Sequence, residues 1–151
     1  MRIYFAGSIR GGRSNVNLYS KLIRYLQNYG EVLTEHVGDK KLKILGEDGL
    51  SDEQIYQRDL EWLLLSDVVV AEASIPSLGV GFEISTAKYE DKPILCLYRS
   101  KKNKKLSAII SGCPYVTLEN YKTLEGAILA IDKFLIKIIR ESYKKQLSKS
   151  I

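Results

Sequence analysis

Short apolar runs alternate with longer amphipathic stretches along the chain, and this alternation predicts strands and helices in turn. Five strands are predicted, at Arg2–Ala6, Glu31–Thr34, Asp67–Glu72, Ile94–Tyr98 and Tyr115–Leu118. Helices are predicted at Val16–Tyr29, from Ser51 to about Ser66, at Gly79–Tyr89 and Leu106–Ile110, and from Leu124 to beyond Ile138. Ser51 and Gln54 have the spacing of a capping box at the start of the second helix.

The regular alternation of strands and helices indicates an α/β protein with a parallel sheet between two layers of helices. The dense Val-Val-Val run inside Asp67–Glu72 is typical of a strand that is buried on both faces. We therefore expect a flavodoxin-like, Rossmann-like three-layer sandwich with a five-stranded sheet in the order 2-1-3-4-5. Ligands of such sheets bind at the carboxyl edge between strands one and three, so the loops after these strands should carry the functional residues.

Length and composition set broad limits. The 151 residues fit one domain with a core of ordinary size. No apolar run approaches the roughly 18 residues of a membrane span, and the first residues have the pattern of a strand instead of a signal peptide. We expect a cytoplasmic protein, which in a eukaryote could also enter the nucleus by diffusion. Two isolated cysteines argue against a zinc site or a disulfide framework, and no metal is expected.

The net charge of +5 belongs to the C-terminal part of the chain. Residues 133–151 contain six Lys or Arg and one Glu, which account for the whole net charge. A solvated helix end, whose lysines suit the helix dipole, is favoured over a site for polyanions. No nucleic-acid partner is therefore expected.

A glycine-rich loop follows the first strand. Its residues, Gly7-Ser8-Ile9-Arg10-Gly11-Gly12-Arg13, combine tight turns with a hydroxyl and two guanidinium groups, which is the composition of a phosphate cradle. The loop lacks the Gly-x-Gly-x-x-Gly pattern of dinucleotide sites. Arg13 stands where a nucleoside triphosphate P-loop has lysine, so that class is not favoured either. A glycine-rich turn without a ligand remains the alternative.

The loop after the third strand leads to a glutamate. Ser77 and Gly79 lie at the predicted helix start, where free N–H groups attract anions, and Glu83 follows four residues after Gly79. A glutamate near a helix N-terminus is ordinarily a surface residue that suits the dipole. Apolar neighbours instead predict a largely buried helix, and the strand order places Glu83 at the ligand crevice. These neighbours are Val80, Phe82 and Ile84.

Three further polar residues are predicted near this edge. Asp59 interrupts an apolar stripe of the second helix that includes Ile55 and Trp62, where a lone carboxylate is costly unless it has a partner or a function. Tyr4 lies in the first strand and His36 follows the second. Each of these two, taken alone, is more often structural.

Several runs of sequence, in order along the chain, closely resemble the 2′-deoxynucleoside 5′-phosphate N-hydrolases of the nucleoside 2-deoxyribosyltransferase superfamily. These runs are Tyr4–Arg13, Leu33–Val37, Asp59–Leu63, Asp67–Glu72, Pro76–Glu83, Ile94–Leu97 and Leu106–Ala108. The resemblance ends near residue 135. We therefore divide the chain into a nucleoside 2-deoxyribosyltransferase-like domain, residues 1–135, and a basic C-terminal helix extension, residues 136–151.

The resemblance implies a homodimer without metal or organic cofactor that acts on a 2′-deoxynucleoside 5′-monophosphate. By position, Glu83 resembles the nucleophilic glutamate of the family, and Tyr4 and Asp59 resemble its supporting catalytic residues. The positions that match substrate or phosphate contacts are Gly7, Ser8, Ile9, Arg10, Gly11, His36, Ser77 and Gly79, with Ser107 supplied by the partner subunit. Departures from the family at Ile109 and over Gly38–Leu50 leave the preferred base open.

The resemblance also implies a mechanism. Glu83 attacks C1′ of the deoxyribose as the base leaves, and water then hydrolyses the glycosyl-enzyme to 2-deoxyribose 5-phosphate. Tyr4 orients Glu83, while Asp59 binds the sugar, helps to protonate the base, or both. The alternatives are a nucleoside 2-deoxyribosyltransferase, a ribonucleotide hydrolase of the CMP type and, from another class, a nucleotide sensor without catalytic activity.

Overall fold

A computed structural model describes residues 1–42, 49–100 and 104–149. The described strands form one five-stranded sheet in the order β2-β1-β3-β4-β5, and every neighbouring pair is parallel. The strands are β1 (Arg2–Gly7), β2 (Glu31–Val32), β3 (Val68–Glu72), β4 (Ile94–Arg99) and β5 (Val116–Tyr121). The predicted class, strand order and direction are confirmed.

Helices cover both faces of the sheet. They are α1 (Val16–Leu26), α2 (Asp52–Leu65), α3 (Leu78–Tyr89), α4 (Ala108–Ser111) and α5 (Leu124–Lys149). Alternate residues of each strand point to opposite faces, so the sheet contributes to two cores. Phe5 and Val70 pack with α1 and α5 on one face, and Ala6 and Ala71 pack with α2 and α3 on the other. The result is the predicted three-layer sandwich.

The segment after β2 differs from the prediction. Only Glu31 and Val32 pair with β1, so the strand stops short of the predicted end at Thr34. The Thr34 hydroxyl instead donates to the Phe5 carbonyl and accepts from the Phe5 N–H, which replaces the ladder bonds with side-chain bonds. A short 3-10 helix then occupies Glu35–Gly38 within the predicted loop. Residues 43–48 of that loop lie outside the described residues.

Other element ends move by a few residues. The first helix ends at Leu26 before the predicted Tyr29, the fourth starts at Ala108 after the predicted Leu106, and β5 continues to Tyr121. Element ends are the least certain part of any prediction from pattern because flanking turns satisfy the same backbone groups.

The start of α2 follows the predicted capping box. The Ser51 Oγ accepts a hydrogen bond from the Gln54 N–H at 3.2 Å, and the Gln54 Oε1 accepts one from the Ser51 N–H at 2.8 Å. This reciprocal pair satisfies two backbone donors that a helix start would otherwise leave free. It fixes the position from which α2 carries Asp59 towards the sheet.

One expectation about α3 is wrong. Val80 and Ile84 are buried as predicted, but Phe82 is 54% exposed. Because α3 lies with one side against the sheet, residues half a turn away from Val80 and Ile84 face solvent. The helix is therefore half-buried instead of fully buried.

The last helix runs without a break across the predicted boundary between residues 135 and 136. Leu135 is fully buried, whereas every described side chain from Arg140 to Ser148 is exposed. The basic extension is thus the solvent-exposed end of α5. No helix in the described ranges is long and apolar enough to cross a membrane.

Candidate active site

A cavity of about 660 Å³ opens at the carboxyl edge of the sheet. The loops after β1 and β3 leave the sheet side by side there, because Gly7 and Glu72 are paired at the ends of these strands. Most of the predicted site residues line the cavity: Gly7, Ile9, Arg10, Gly11, His36, Asp59, Ser77, Gly79 and Glu83. A smaller recess of about 150 Å³ shares Asp59, Gly79 and Glu83 with the cavity and adds Tyr4. The strand order thus brings the three predicted catalytic residues together.

Glu83 and Tyr4 form a direct pair. The buried Tyr4 hydroxyl donates to Oε1 of Glu83 at 2.6 Å. Burial of its carboxyl group raises the pKa of Glu83 to about 8; the Tyr4 bond opposes this rise and the charge of Asp59 adds to it. Burial, followed by the charge of Glu83, also raises the pKa of Tyr4 well above its usual range. A carboxyl group with this pKa is mostly protonated at neutral pH.

The first turns of α3 give access to Glu83. Ser77 caps the helix, and its Oγ accepts a hydrogen bond from the Val80 N–H at 3.4 Å. Gly79 and Glu83 are four residues apart and therefore lie on the same face, one turn from each other. Both residues line the cavity and the smaller recess. The predicted Gly79–Glu83 spacing therefore places the carboxyl group one turn from the start of α3.

Asp59 has a neighbour that the sequence prediction missed. Arg58 donates from both Nε and Nη2 to Oδ1 of Asp59, at 3.0 and 2.8 Å. Its guanidinium group also lies over the Trp62 ring, 4.5 Å from the centroid, and its Nη2 is 3.5 Å from Nε2 of His36. The predicted residues His36 and Asp59 are therefore linked through an arginine. An arginine next to a carboxylate that interrupts an apolar stripe is the signal that could have identified it.

Arg10 stands at the rim of the cavity. Its Nη2 pairs with Oδ1 of Asp52 at 2.7 Å, and both side chains are largely exposed. The hydrogen bond to Asp52, followed by the charge of Asp52, raises the pKa of Arg10. The same bond and the charge of Arg10 hold the pKa of Asp52 below its usual range. An exposed pair of this kind is weak, so an incoming anion can compete for the guanidinium group.

The two glycine-containing loops touch each other closely. A Cβ atom on Gly11 would lie 2.7 Å from the Pro76 carbonyl oxygen and 2.7 Å from the Ser8 Oγ, so only glycine fits there. Ser8 is fully buried, and its Oγ has no hydrogen-bond partner among the described residues. A buried hydroxyl of this kind is costly unless something binds it. Ser8, which is predicted to bind phosphate, thus carries a buried hydroxyl without a partner in the described ranges; it does not itself line the cavity but lies next to Gly11, which does.

Arg13 differs from its expected use in the phosphate cradle. Its Nη1 and Nη2 donate to the carbonyl oxygens of Val37 and Asp39, at 2.8 and 2.6 Å. These bonds tie the loop after β1 to the segment after β2. Arg13 does not line the cavity, so of the two arginines only Arg10 is placed to meet a ligand.

Ser107 shares a cavity with Ser77 but lies apart from the predicted catalytic residues of its own chain. It is exposed, directly before α4, and lines a separate cavity of about 760 Å³ together with Ser77, Lys104 and Lys105. Glu83 does not line that cavity. As for metals, no group of three or more His, Cys, Asp or Glu in the described ranges has an arrangement that could hold an ion.

The fold and the site define an α/β protein with a ligand crevice at the carboxyl edge of its parallel sheet, and two carboxylates, those of Asp59 and Glu83, line this crevice. The sequence profile described as "Nucleoside 2-deoxyribosyltransferase" matches residues 3–131. The chain therefore belongs to the nucleoside 2-deoxyribosyltransferase family, as the resemblance predicted.

Two curated relatives are similar over most of their length. The chain is 44% identical over 154 residues to a protein of Esox lucius named 5-hydroxymethyl-dUMP N-hydrolase, and the match covers 99% of both chains. It is 50% identical over 125 residues to a protein of the same name from Danio rerio, covering 81% of this chain and 87% of the relative. The solution structure of BlsM shares the fold, with a TM-score of 0.74, 22% identity and coverage of 94% and 93%.

Proposed function

We propose that this chain hydrolyses the N-glycosidic bond of 2′-deoxynucleoside 5′-monophosphates, which yields the free base and 2-deoxyribose 5-phosphate. The observation that carries the proposal is that Glu83 lines one cavity together with Asp59, Arg10 and the glycine-rich loop after β1. The names of the relatives from Esox lucius and Danio rerio support the same reaction. They also make 5-hydroxymethyl-dUMP the first substrate to test.

Glu83 supplies the nucleophile in this proposal. In the first step a carboxylate oxygen of Glu83 forms a bond to C1′ while the bond from C1′ to the base nitrogen breaks. The electron pair of that bond leaves with the base, which takes up a proton. In the second step water attacks C1′, the bond to Glu83 breaks, and the carboxylate is restored as water gives up its proton.

The surroundings of Glu83 suit this task. The reactive form is the ionised carboxylate, and the burial that raises its pKa to about 8 also removes water that would otherwise solvate it. The Tyr4 hydroxyl, at 2.6 Å, holds one oxygen in place. The second oxygen is then the one to attack C1′, since no other hydrogen bond to Glu83 is present among the described residues.

The phosphate is bound away from the reacting atoms. Arg10 and the start of α3 at Ser77 line the cavity and offer donors to it, and the buried Ser8 hydroxyl lies next to Gly11, which also lines it. Energy from these contacts would hold the sugar in the orientation for attack. This arrangement gives a physical reason for preferring nucleoside monophosphates over free nucleosides.

The central test replaces Glu83. We expect Glu83→Gln to lower turnover by about a thousandfold or more while nucleotide binding persists, as is typical when a nucleophile is removed. The matched control is Glu61→Gln, which makes the same change at an exposed position of α2. Release of bases from 5-hydroxymethyl-dUMP, dCMP, dGMP and CMP is followed by chromatography. Near-normal turnover in Glu83→Gln would refute the assignment, and nucleotide binding by the wild type without any base release would indicate a nucleotide sensor.

The phosphate site is tested separately. Arg10→Ala should raise KM for the monophosphate and narrow the difference in kcat/KM between monophosphate and free nucleoside. If the difference keeps its wild-type size, Arg10 does not contact the phosphate.

A transferase is the second candidate because the family profile carries that description. It would use the same glycosyl-enzyme but pass the sugar to a second base instead of water. Adding a different free base to the reaction separates the two activities, since only the transferase forms a new nucleotide.

The proposal extends to a homodimer. Leu78, Phe82 and Tyr89 lie on one exposed face of α3, and Ile109 on α4 is 86% exposed. Exposed apolar surface of this kind marks interaction sites. Ser107 adjoins Ile109 and lies outside its own chain's Glu83 cavity, which supports its use in the site of a partner subunit.

Mixed dimers test this contribution. Ser107→Ala should weaken activity, and Glu83→Gln should abolish it. If Ser107 acts across the interface, mixing the two variants restores one intact site in each mixed dimer, so the activity exceeds the sum of the separate variants. A monomer in sedimentation, or a mixture without recovery, would refute the arrangement.

A further inference from the structure

The pair formed by Arg58 and Asp59 has an unusual geometry. Neighbouring residues on a helix point in different directions, so a salt bridge between them requires the arginine side chain to fold back. Both guanidinium donors of Arg58 converge on a single oxygen, Oδ1 of Asp59. The other oxygen, Oδ2, has no hydrogen bond among the described residues. Asp59 lines both the main cavity and the recess that Tyr4 and Glu83 share.

Arg58 is held in this position from two further sides. Its guanidinium group lies over the Trp62 ring at 4.5 Å and beside Nε2 of His36 at 3.5 Å. Only about a fifth of its side chain, 22%, is exposed. A planar group that stacks on an aromatic ring and forks towards a carboxylate loses few conformations when it binds. These contacts therefore fix the direction of the Arg58 guanidinium group, in addition to placing a positive charge beside Asp59.

We propose that Arg58 is a positioning residue that holds Oδ1 of Asp59, directs Oδ2 to the bound sugar or base, and shields Glu83 from the charge of Asp59. The proposal rests on the proposed hydrolase activity and adds a residue to it. Arg58 would touch neither C1′ nor the leaving nitrogen. It would act through Asp59.

The electrostatic part of the proposal follows from the charges around the site. Besides burial and the neighbouring Glu83, which raise the pKa of Tyr4 most, the charge of Asp59 raises this pKa and the charge of Arg58 lowers it, so the two charges oppose each other at the same place. Burial and the charge of Asp59 both raise the pKa of Glu83. Arg58 is hydrogen-bonded to Asp59, and its positive charge offsets the charge of Asp59 towards the neighbouring pair of Tyr4 and Glu83, so we expect that removing Arg58 raises the pKa of Glu83 further. Among the described residues, the ionisable groups that face the cavity or the recess from the surrounding elements are Tyr4, Arg10, His36, Asp52, Tyr56, Arg58, Asp59 and Glu83.

The test compares Arg58→Gln with Arg58→Lys. The control is Arg140→Gln, which removes one positive charge from an exposed position of α5. For each protein, kcat and KM for 5-hydroxymethyl-dUMP are measured across a range of pH. Arg58→Gln should lower kcat by about tenfold to a hundredfold, the typical loss for a misplaced catalytic group, with a much smaller change in KM. The pH at which kcat/KM stops rising should also move upwards.

The lysine variant separates charge from geometry. It should bring the pH profile back towards that of the wild type, because the charge is restored. It should recover little of kcat, because lysine cannot fork onto Oδ1 while stacking on Trp62. A wild-type kcat and pH profile in folded Arg58→Gln would overturn the proposal. A loss of thermal stability alone would overturn it too, because that result indicates a purely structural role.

A second measurement does not depend on activity. The difference in unfolding free energy between each protein and the same protein with Glu83→Gln, followed against pH, reports the pKa of Glu83 in the folded state. The inflection of this difference should move upwards in Arg58→Gln and stay in place in Arg140→Gln. If the wild type releases no base from any nucleotide, the proposed function fails. The shielding by Arg58 is then still decided by the unfolding experiment, where an unmoved inflection refutes it.

Discussion

The raised pKa of Glu83 predicts that this residue destabilises the folded protein at alkaline pH. In the unfolded chain Glu83 loses its proton near its ordinary value of 4.5, but in the folded protein it does so only near 8. Between these values the unfolded state binds fewer protons than the folded state, so a rise in pH favours unfolding. The penalty is absent below about pH 4.5, grows up to about pH 8 and is constant above it.

The size of the effect follows from the two pKa values. Each pH unit between 4.5 and 8 corresponds to about 1.4 kcal/mol, which gives an upper bound of roughly 5 kcal/mol. Water in the open cavity screens part of the penalty, so we expect about 2–5 kcal/mol. Glu83→Gln removes the charge but keeps an oxygen that can accept the Tyr4 bond. The variant should therefore gain this stability relative to the wild type as the pH rises.

The assay is urea unfolding at several values between about pH 5 and pH 9, analysed as the difference in unfolding free energy between Glu83→Gln and the wild type. Other titrating groups are common to both proteins and cancel in this difference. Glu61→Gln serves as the control, because Glu61 is exposed on α2 and its difference from the wild type should stay flat. A flat difference for Glu83→Gln would refute the burial of the carboxyl group as the cause of its raised pKa.

Three further predictions concern the same site. In the wild type, kcat/KM should rise with pH and level off near pH 8, because only ionised Glu83 attacks C1′; a rate that is independent of pH between about 5 and 8 would contradict this role. Tyr4→Phe removes the bond that lowers the pKa of Glu83, so this levelling-off should move to higher pH and kcat should fall about tenfold to a hundredfold, as measured in the same rate profiles. Gly11→Ala should raise KM for the monophosphate, since the new Cβ would collide with the Pro76 carbonyl oxygen and separate the two loops; steady-state kinetics with an unchanged KM would show that this loop contact is not needed.

The order of elements could be predicted because each buried run has one clear period. Val68–Val70 is fully buried, as its unbroken apolar pattern indicated, and the strand order followed from the alternation with helices. The end of β2 was missed because Thr34 binds the backbone of Phe5 with its side chain, which no apolar period reveals. The burial of Phe82 was predicted wrongly for a related reason. A helix with apolar residues on several sides does not show in sequence which side meets the sheet.

The meeting of Tyr4, Asp59 and Glu83 could be predicted because parallel strands place their carboxyl ends at one edge. The directions of the long side chains could not be predicted. Arg13 turns to the carbonyl oxygens of Val37 and Asp39, and Arg58 turns to its own neighbour. The direction of Arg13 depends on contacts with a segment far away in sequence. The direction of Arg58 depends on a rotamer that the hydrophobic pattern does not encode.

Glu72 shows why burial alone does not mark the reactive carboxylate. It ends β3 at the same sheet edge as the candidate site and is fully buried, more so than Glu83. Its carboxylate accepts hydrogen bonds from Asn15, Ser74 and Tyr121, so the protein itself compensates the lost hydration. Within the described ranges Glu83 accepts one bond, from Tyr4, and it lines an open cavity. A carboxylate that the fold satisfies has a structural role, whereas one that the fold leaves partly unsatisfied beside a cavity is available to a substrate. The number of hydrogen-bond donors around each glutamate, which only the folded structure reveals, therefore distinguishes the structural Glu72 from the proposed nucleophile Glu83.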